Sequence, residues 1–226
     1  MLLEKLTAIV GDANVLTGEQ VRSRAVGWAD RSPCQARAIV RPGSTDEVSR
    51  VLAECHASGQ PVVLFGGLTG LVQGSVASEH EIALSLERMH RIESIDPVGR
   101  TMTVEAGVAV QRIQEEAEKH GLLYPVDFGA RGSAHIGGSA ATNAGGNGVI
   151  RYGMTRDSVL GLEAVLADGT VIPAMNRMIK NNAAYDVKQL FIGTEGTLGV
   201  ITRLVLRLRE SPRSTQSALV ACPAFA

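Results

Sequence analysis

The 226-residue sequence has few aromatic residues, few cysteines, almost no net charge and no long hydrophobic run. Aromatic residues make up 4% of the chain, which disfavours a carbohydrate or single-stranded nucleic-acid surface, because such surfaces rely on aromatic stacking. The formal net charge is -1 and no Lys/Arg cluster stands out, which argues against a nucleic-acid partner or an anionic membrane surface. No stretch reaches the roughly 18 apolar residues that a membrane-spanning helix needs.

Cysteine is scarce: Cys34, Cys55 and Cys222 are widely spaced and odd in number, without C-x-x-C or metal-ligand spacing. Such usage is typical of a reducing compartment. The N-terminal sequence MLLEKLTAIVGD has no basic segment leading into an apolar core, so we predict no signal peptide. We therefore expect a cytoplasmic protein without a membrane span.

Hydrolase and metal motifs are also missing. No G-x-S-x-G elbow occurs, and the five histidines show neither H-E-x-x-H nor any other ligand spacing. We therefore predict no metal site in this chain. His135 is the one histidine inside a candidate ligand loop, and we interpret it as structural.

Glycine, in contrast, is abundant, with 25 residues where ~7% of a chain is usual. In LFGGLTGLVQGS, residues 64–75, successive backbone N–H groups can point inward and bind an anion, although a plain turn fits the same residues. In SAHIGGSAATNAGGNGVIRYG, residues 133–153, small residues fit either a packed surface loop or a wall against a ligand. Thr142 and Asn143 are the polar groups in that stretch that are suited to forming hydrogen bonds with such a ligand.

A third segment, residues 181–202, places an acid among glycines just before a predicted strand. Glu195 lies between Gly193 and Gly196, with Gly199 close behind. Its carboxylate either caps backbone donors or accepts a hydrogen bond from a ribose hydroxyl. The residues alone leave both interpretations open.

Local patterns predict helices and strands in alternation. Ser44 and Glu47 form an S-x-x-E capping box, and the apolar residues that follow recur at helical spacing: Val48, Val51, Leu52 and Cys55. Short apolar runs before and after this helix indicate strand–helix–strand. Residues 91–107 and 159–172 each indicate a hairpin, the second with Asp168-Gly169 at its turn. This mixture predicts an α+β fold.

Five segments occur in a fixed order and spacing: RPGSTDEVSRVL, GGLTGL, VDFGARGSAHIGGSAATNAGGNGVIRYG, LGLEAVLADGTV and YDVKQLFIGTEGTLGVIT. Together they resemble the FAD-binding domain of the vanillyl-alcohol-oxidase-type, or PCMH-type, flavoproteins. More narrowly, they resemble the D-2-hydroxyacid dehydrogenase branch, which includes D-lactate dehydrogenases, D-2-hydroxyglutarate dehydrogenases and the flavin subunit of glycolate oxidase. The resemblance covers roughly residues 35–210 and implies two α+β subdomains with FAD between them.

The resemblance also implies which residues contact FAD. The loop GGLTGL would bind the diphosphate through backbone N–H groups: Gly66, Gly67, Leu68, Thr69, Gly70 and Leu71. The central segment would run along the flavin and diphosphate, with these residues involved: Asp127, Gly132, Ile136, Gly137, Gly138, Thr142, Asn143, Gly145, Gly146, Tyr152 and Gly153. The last segment would flank the adenosine or ribityl part: Glu195, Gly199 and Ile201.

The sequence departs from the family at two informative points. Covalent flavoproteins of this fold can use a histidine where this chain has Leu68, so we expect noncovalent FAD. Full-length members continue for about as long again into a substrate domain, which supplies the catalytic residues. We therefore expect residues 1–34 to be an N-terminal helical segment, 35–212 the FAD-binding domain and 213–226 the start of a substrate domain, with a strand near 217–222.

The implied reaction is oxidation of a D-2-hydroxy acid, in which a base takes the hydroxyl proton while hydride moves to flavin N5. We expect this chain to be the FAD-binding part of such an enzyme and inactive alone. Two alternatives remain: a free-standing flavin-binding subunit that needs a partner chain, and an NADPH-dependent enolpyruvyl reductase of the same fold. The sequence does not identify the electron acceptor, and it leaves a homodimer open.

Overall fold

The computed structural model describes residues 1–224. Within them the chain forms eleven strands: β1 (Val15–Leu16), β2 (Ala38–Val40), β3 (Val62–Phe65), β4 (Ile82–Ser85), β5 (Ile92–Asp96), β6 (Thr101–Glu105), β7 (Leu122–Leu123), β8 (Val159–Val165), β9 (Val171–Ala174), β10 (Val200–Arg207) and β11 (Arg209–Glu210). The same residues form seven α-helices: α1 (Leu2–Val10), α2 (Glu19–Arg22), α3 (Thr45–Ala57), α4 (Val110–Lys119), α5 (Ile136–Ala141), α6 (Val149–Tyr152) and α7 (Lys188–Phe191).

The first subdomain is built on a four-stranded sheet in the order β1-β2-β4-β3. Strands β2, β4 and β3 are parallel, and α3 connects β2 to β3, which confirms the predicted strand–helix–strand unit. The Ser44 hydroxyl caps α3 by accepting a hydrogen bond from the Glu47 N–H at 3.2 Å. The Glu47 carboxylate accepts from the Gly43 N–H at 2.7 Å rather than from Ser44, so the capping box forms one residue out of its predicted register.

The N-terminal segment is part of this first sheet. The sequence predicts residues 1–34 to be helical, and α1 and α2 do lie there, but β1 lies between them and pairs antiparallel with β2. Helix α1 packs against α3, and Lys5 Nζ lies 2.8 Å from a Glu54 carboxylate oxygen. This segment therefore forms the sheet edge and covers α3.

The second subdomain is built on a five-stranded antiparallel sheet in the order β5-β6-β10-β8-β9. Both predicted hairpins, β5–β6 and β8–β9, are confirmed. Strand β10 lies between them and joins them into one sheet. The two subdomains meet where α3 packs against β8, and there Thr45 Oγ1 donates to the Glu163 carboxylate at 2.6 Å.

The C-terminal part of the chain differs from its prediction. A strand is expected near 217–222, but residues 211–224 contain no strand and are exposed. Pro212 follows β11, which is short and pairs only with β7. A short apolar run alone is therefore a weak signal for a strand. The expected segment 213–226 also includes Phe225 and Ala226, which lie outside the described residues.

Candidate functional site

A cavity of about 400 Å³ is formed by three segments: the loop after β3, the region from Phe128 through α5 to Gly146, and the entry into β10. This volume falls within the roughly 300–1,000 Å³ that is common for small-molecule and cofactor sites. Its lining is mainly apolar and small, and within residues 1–224 no Lys or Arg lines it. A charged ligand here would be held by backbone dipoles rather than by opposite charges.

Most of the sequence-predicted site residues line this cavity: Gly66, Gly67, Leu68, Thr69, Gly70, Gly137, Gly138, Thr142, Gly145, Gly146, Glu195, Gly199 and Ile201. Their positions in the chain range from Gly66 to Ile201, and the two subdomains bring them together. The remaining predicted residues lie outside the cavity wall: Leu71, Asp127, Gly132, Ile136, Asn143, Tyr152 and Gly153.

Three of these residues lie elsewhere for clear reasons of packing. Ile136 is fully buried in the main hydrophobic core, and its N–H donates to the Val108 carbonyl at 2.9 Å. Leu71 points away from the cavity and is 72% exposed. At Gly153, φ is +80° and a Cβ would lie 2.2 Å from an Asp157 carboxylate oxygen, so this glycine serves a tight turn.

The other predicted residues outside the wall have local protein partners. The Asp127 carboxylate accepts from Arg131 Nη1 at 2.7 Å. A Cβ at Gly132 would face the Gln111 side chain at 3.1 Å. The Arg151 guanidinium lies 5.2 Å from the centre of the Tyr152 ring, which faces a different cavity.

The two polar residues expected to face a ligand are engaged within the protein. The Thr142 hydroxyl donates to the Gly138 carbonyl at 3.0 Å, inside the last turn of α5. The Asn143 amide oxygen accepts from the Arg156 N–H at 3.0 Å, and Asn143 itself has a left-handed φ of +48°. Asn143 is therefore a turn residue that ties α5 to the segment before β8.

Six glycines in the first two segments of the wall have contrasting surroundings. At Gly67, Gly137 and Gly146 a Cβ would lie 2.0–2.6 Å from protein atoms, and we call these the packed glycines. At Gly66, Gly70 and Gly138 no atom lies within 3.7 Å of the Cβ position, and we call these the open glycines. The packed glycines let backbone segments approach each other. The open glycines leave space on the cavity side that a side chain would occupy.

Backbone donors are available in the loop after β3. The N–H groups of Gly67, Leu68, Thr69 and Gly70 donate no hydrogen bond within the part of the chain that the structure describes. Leu68 has a left-handed φ of +54°, which reverses the chain direction within this loop. Successive unpaired N–H groups in such a turn are suited to an anion such as a diphosphate.

His135, interpreted from the sequence as structural, lines the cavity at the start of α5. Its Nδ1 is buried without a hydrogen-bond partner. Burial lowers the pKa of His135, with a smaller opposing effect from Glu87, so the ring is neutral at pH 7. Because a buried N–H without an acceptor is costly, we place the proton on Nε2. A cavity ligand would then meet a neutral N–H donor.

Glu195 faces the same cavity from the opposite side. Its carboxylate makes no hydrogen bond or ion pair within residues 1–224. A Cβ at Gly74 would lie 3.6 Å from a Glu195 carboxylate oxygen, so the end of the glycine loop faces this residue. Of the two interpretations left open by the sequence, the capping role is not seen, and a role as acceptor for a ligand hydroxyl fits.

The residues predicted individually from the sequence did not include several residues of the wall, among them Phe65, Ala106, Phe128, Ala134, Ser139 and Ala144. Most are apolar or small and carry no chemical motif. Ala134, Ser139 and Ala144 lie in the glycine-rich stretch of residues 133–153, and that location is the one sequence signal that could have identified them. Leu86 and Ala106 belong to other elements and become neighbours of α5 only through the tertiary fold.

The residues present fit FAD. The open glycines leave their part of the wall unobstructed, the loop after β3 offers unpaired N–H groups to a diphosphate, and the His135 ring lines the cavity. Within residues 1–224 no group of three or more His, Cys, Asp or Glu side chains is arranged to hold a metal ion. No helix of that region is both long and apolar enough to cross a membrane.

This fold and site define a cofactor-binding α+β domain, in which a glycine-walled cavity lies where two subdomains meet. Residues 36–174 match the FAD binding domain family. The chain therefore belongs to that family, and its fold is the two-subdomain PCMH-type FAD-binding fold. Its cofactor is FAD.

Similar proteins extend this assignment. The chain is 44% identical over 198 residues to a D-2-hydroxyglutarate dehydrogenase of Xanthomonas citri pv. viticola, which covers 88% of this chain and 42% of that protein. It is 40% identical over 224 residues to the mitochondrial D-2-hydroxyglutarate dehydrogenase of Bos taurus, covering 99% and 41% respectively. The chain thus spans about two fifths of the length of these relatives.

A solved structure of alkyldihydroxyacetonephosphate synthase superimposes with a TM-score of 0.81 at 21% identity, covering 94% of this chain and 41% of that one. At this identity the likeness concerns the fold alone. The relatives and the solved structure agree that the two subdomains form one recurring unit within longer proteins.

Proposed function

We propose that the chain is the FAD-binding portion of an oxidoreductase that oxidises a D-2-hydroxy acid, with D-2-hydroxyglutarate or a D-lactate-like acid as the substrate. The observation that carries the flavin part is the cavity wall of open glycines beside unpaired N–H groups. The substrate class is supported by the 44% and 40% identity to proteins named D-2-hydroxyglutarate dehydrogenase.

In this proposal the residues of the chain bind and orient the cofactor. The N–H groups of residues 67–70 hold the diphosphate, and Gly66 and Gly138 let the flavin lie against the wall. His135 offers a neutral donor and Glu195 an acceptor. When bound, FAD supplies a hydride acceptor, and the role of the protein is to position it.

The residues that take the hydroxyl proton and bind the substrate carboxylate belong, in this proposal, to the part of the relatives that this chain does not match. No Lys or Arg of residues 1–224 lines the flavin cavity, and the described histidines form no metal-binding cluster. The chain would therefore hold FAD without oxidising substrate by itself. The electron acceptor is not identified by these residues.

The test of the flavin part is a visible absorption spectrum of the purified chain, before and after incubation with FAD. We expect the bands of oxidised flavin, and complete release of the flavin on acid precipitation, because Leu68 cannot form a covalent bond to it. A preparation that stays colourless after incubation with FAD contradicts the proposal. Flavin that remains with the precipitate contradicts noncovalent attachment only.

The test of the reaction class is anaerobic mixing of the FAD-loaded chain with D-2-hydroxyglutarate, D-lactate or NADPH. We expect no reduction of the flavin by any of them at ordinary flavoenzyme rates. Reduction by NADPH would assign the enolpyruvyl reductase reaction instead. Rapid reduction by a D-2-hydroxy acid would show that the chain carries its own proton acceptor. An unlinked protein that copurifies and restores reduction would identify a two-subunit enzyme.

We propose the cytoplasm as the location, supported by three unpaired cysteines, of which Cys34 and Cys55 are buried. Burial, with a smaller effect of Glu54, raises the pKa of the Cys55 thiol to about 11, so this group is unreactive at neutral pH. The Bos taurus relative is named as mitochondrial, which makes fractionation of the native protein the decisive measurement.

A further inference from the structure

A second cavity, of about 250 Å³, lies near the opposite end of β10 from the flavin cavity. Its wall carries four arginines: Arg100, Arg151, Arg207 and Arg209. We call it the arginine cavity. Ile201, near the start of β10, lines the flavin cavity, and Arg207 is the last residue of the strand. At ~3.3 Å per residue the two cavities are roughly 20 Å apart along β10, so they are separate sites.

Three elements bring the arginines together. Arg207 pairs with Thr101 at the start of β6, which places it beside Arg100 in the β5–β6 turn. Leu208 is buried, so Arg207 and Arg209 on either side of it point to the opposite face. Arg151 comes from α6 and lies over the ring of Tyr152. The cluster is thus assembled by the tertiary fold from residues 100 to 209.

The positive charges of this cluster are poorly compensated. Glu210 is the one carboxylate on the wall among the described residues, and it pairs with Arg100 at 2.7 Å. Within the same residues, no carboxylate lies within 4.0 Å of the guanidinium groups of Arg151, Arg207 or Arg209. Four guanidinium groups thus share the wall with one carboxylate, and the Asp157 carboxylate acts on Arg209 from outside the wall, so at least two positive charges remain uncompensated.

Arg209 adds a second, independent observation. Its Nε is buried and has no hydrogen-bond partner. Burial and the neighbouring Arg207 lower the pKa of Arg209. A buried donor without an acceptor is costly, and crowding of like charges adds to that cost. The crowding of like charges is relieved when an anion binds between the arginines.

We propose that the arginine cavity binds a small, multiply charged oxyanion, either a phosphate or a dicarboxylate. Guanidinium groups form paired, charge-assisted hydrogen bonds with the oxygens of both kinds of group. The volume is sufficient for a small anion such as phosphate or a short dicarboxylate. Because no described residue lines both cavities, the ligand proposed here is distinct from FAD.

The experiment measures thermal unfolding of the 226-residue chain by circular dichroism, with inorganic phosphate or succinate added at constant ionic strength. We expect the saturating anion to raise Tm by about 5–10 °C at a hundredfold excess over Kd. The anion that raises Tm more shows whether the site prefers a phosphate or a dicarboxylate. The melts are run with and without FAD, because phosphate can also occupy the loop of residues 66–71.

The decisive variant is Arg207→Gln combined with Arg209→Gln. We expect it to lower the apparent anion affinity at least about tenfold, and to raise Tm in the absence of anion, since it removes repulsion. The matched control, Arg22→Gln combined with Arg31→Gln, removes two exposed positive charges elsewhere and should respond to the anion like the parent. Arg151→Gln, at an exposed position, provides a further variant that leaves the strands intact.

Two results would overturn the proposal. One is a parent chain whose Tm does not respond to either anion beyond the effect of chloride. The other is an equal response in the parent, the double arginine variant and Arg151→Gln. Neither result depends on whether the flavin cavity binds FAD, so failure of this site and failure of the proposed function are distinguishable.

Discussion

The packed glycines Gly67, Gly137 and Gly146 and the open glycines Gly66, Gly70 and Gly138 come from the same two glycine-rich segments, yet their missing side chains face different surroundings. A Cβ on a packed glycine would clash with backbone or a neighbouring side chain, whereas a Cβ on an open glycine would make at most ordinary van der Waals contact. Glycine enrichment around a ligand site therefore has two causes, close packing of the scaffold and clearance for the ligand. Substitutions can separate the two.

The largest effect is expected at the packed glycines. A Cβ at Gly146 would lie 2.1 Å from the Asp127 carbonyl oxygen, and φ there is +103°; at Gly67 it would lie 2.0 Å from the Ser133 carbonyl oxygen. Gly146→Ala or Gly67→Ala should lower the free energy of unfolding by about 4 kcal/mol or more. Urea unfolding followed by circular dichroism measures this.

The control for this prediction is Gly129→Ala, where nothing lies within 4 Å of the Cβ position and the residue is outside the cavity wall. Its unfolding free energy should stay close to that of the parent. If the packed-glycine variants were as stable as this control, the backbone would not approach the packed glycines as closely as the structure shows.

An open glycine should give the opposite result. Gly138 lies within α5 and its Cβ position is unobstructed, so Gly138→Ala should raise the free energy of unfolding by about 0.4–1 kcal/mol. The same methyl group occupies the cavity side, so FAD affinity should fall at least about tenfold. Flavin fluorescence titration measures it, with Gly129→Ala again as the control. A stable variant with unchanged FAD affinity would show that the flavin does not lie against Gly138.

A smaller effect, on the pH dependence of the unfolding free energy, is expected from replacing His135, whose neutral imidazole lines the cavity. Because burial lowers the folded-state pKa of His135, the unfolded chain binds the proton more tightly. Stability therefore falls as pH drops below ~6.5 and through the lowered pKa. His135→Leu should show a smaller loss of unfolding free energy than the parent between pH 7 and pH 5.

The groups around His135 do not obscure this comparison. Glu87 and His90 are the charged or titratable neighbours that affect its pKa, and the Glu87 carboxyl has a pKa lowered from 4.5, so it titrates below this pH range. His80→Gln removes an exposed histidine and should retain the parent pH dependence. An identical pH dependence in His135→Leu and the parent would argue against a buried, neutral ring.

The smallest effect is expected at Thr142. Its hydroxyl donates to the Gly138 carbonyl within α5, so it is already satisfied by the protein. Thr142→Val should change the free energy of unfolding by under about 0.5 kcal/mol, and FAD affinity by less than about threefold. Equilibrium unfolding and fluorescence titration test both numbers. A tenfold loss of affinity would restore Thr142 as a direct ligand contact.

Local signals predicted most of the fold. Some features depend on residues only a few positions apart, so the sequence alone could predict them. They are the cap at Ser44, the apolar spacing of α3 and the turn at Asp168-Gly169. The insertion of β4 between β2 and β3, and of β10 between β6 and β8, depends on contacts over long separations. No local pattern carries that information.

The site was predicted as segments but not residue by residue. Backbone-binding loops are recognised because glycine is concentrated in them, and the cavity does lie against both glycine-rich segments. Ile136 and Asn143 belong to those segments, yet one faces the core and the other supports a turn. The face of a short helix and the role of a single amide are decided by what packs around them.

The sequence by itself determined the α+β class, the family and the presence of a glycine-lined cofactor loop, because these depend on local backbone preferences and on motif order. The tertiary structure alone decided which glycines are packed and which are open, and it assembled the arginine cavity from Arg100, Arg151, Arg207 and Arg209. Arg207 and Arg209 are close in the sequence, but Arg100 and Arg151 are far from them. Their charges interact only because strand pairing and α6 bring them within the short range over which charges act in water.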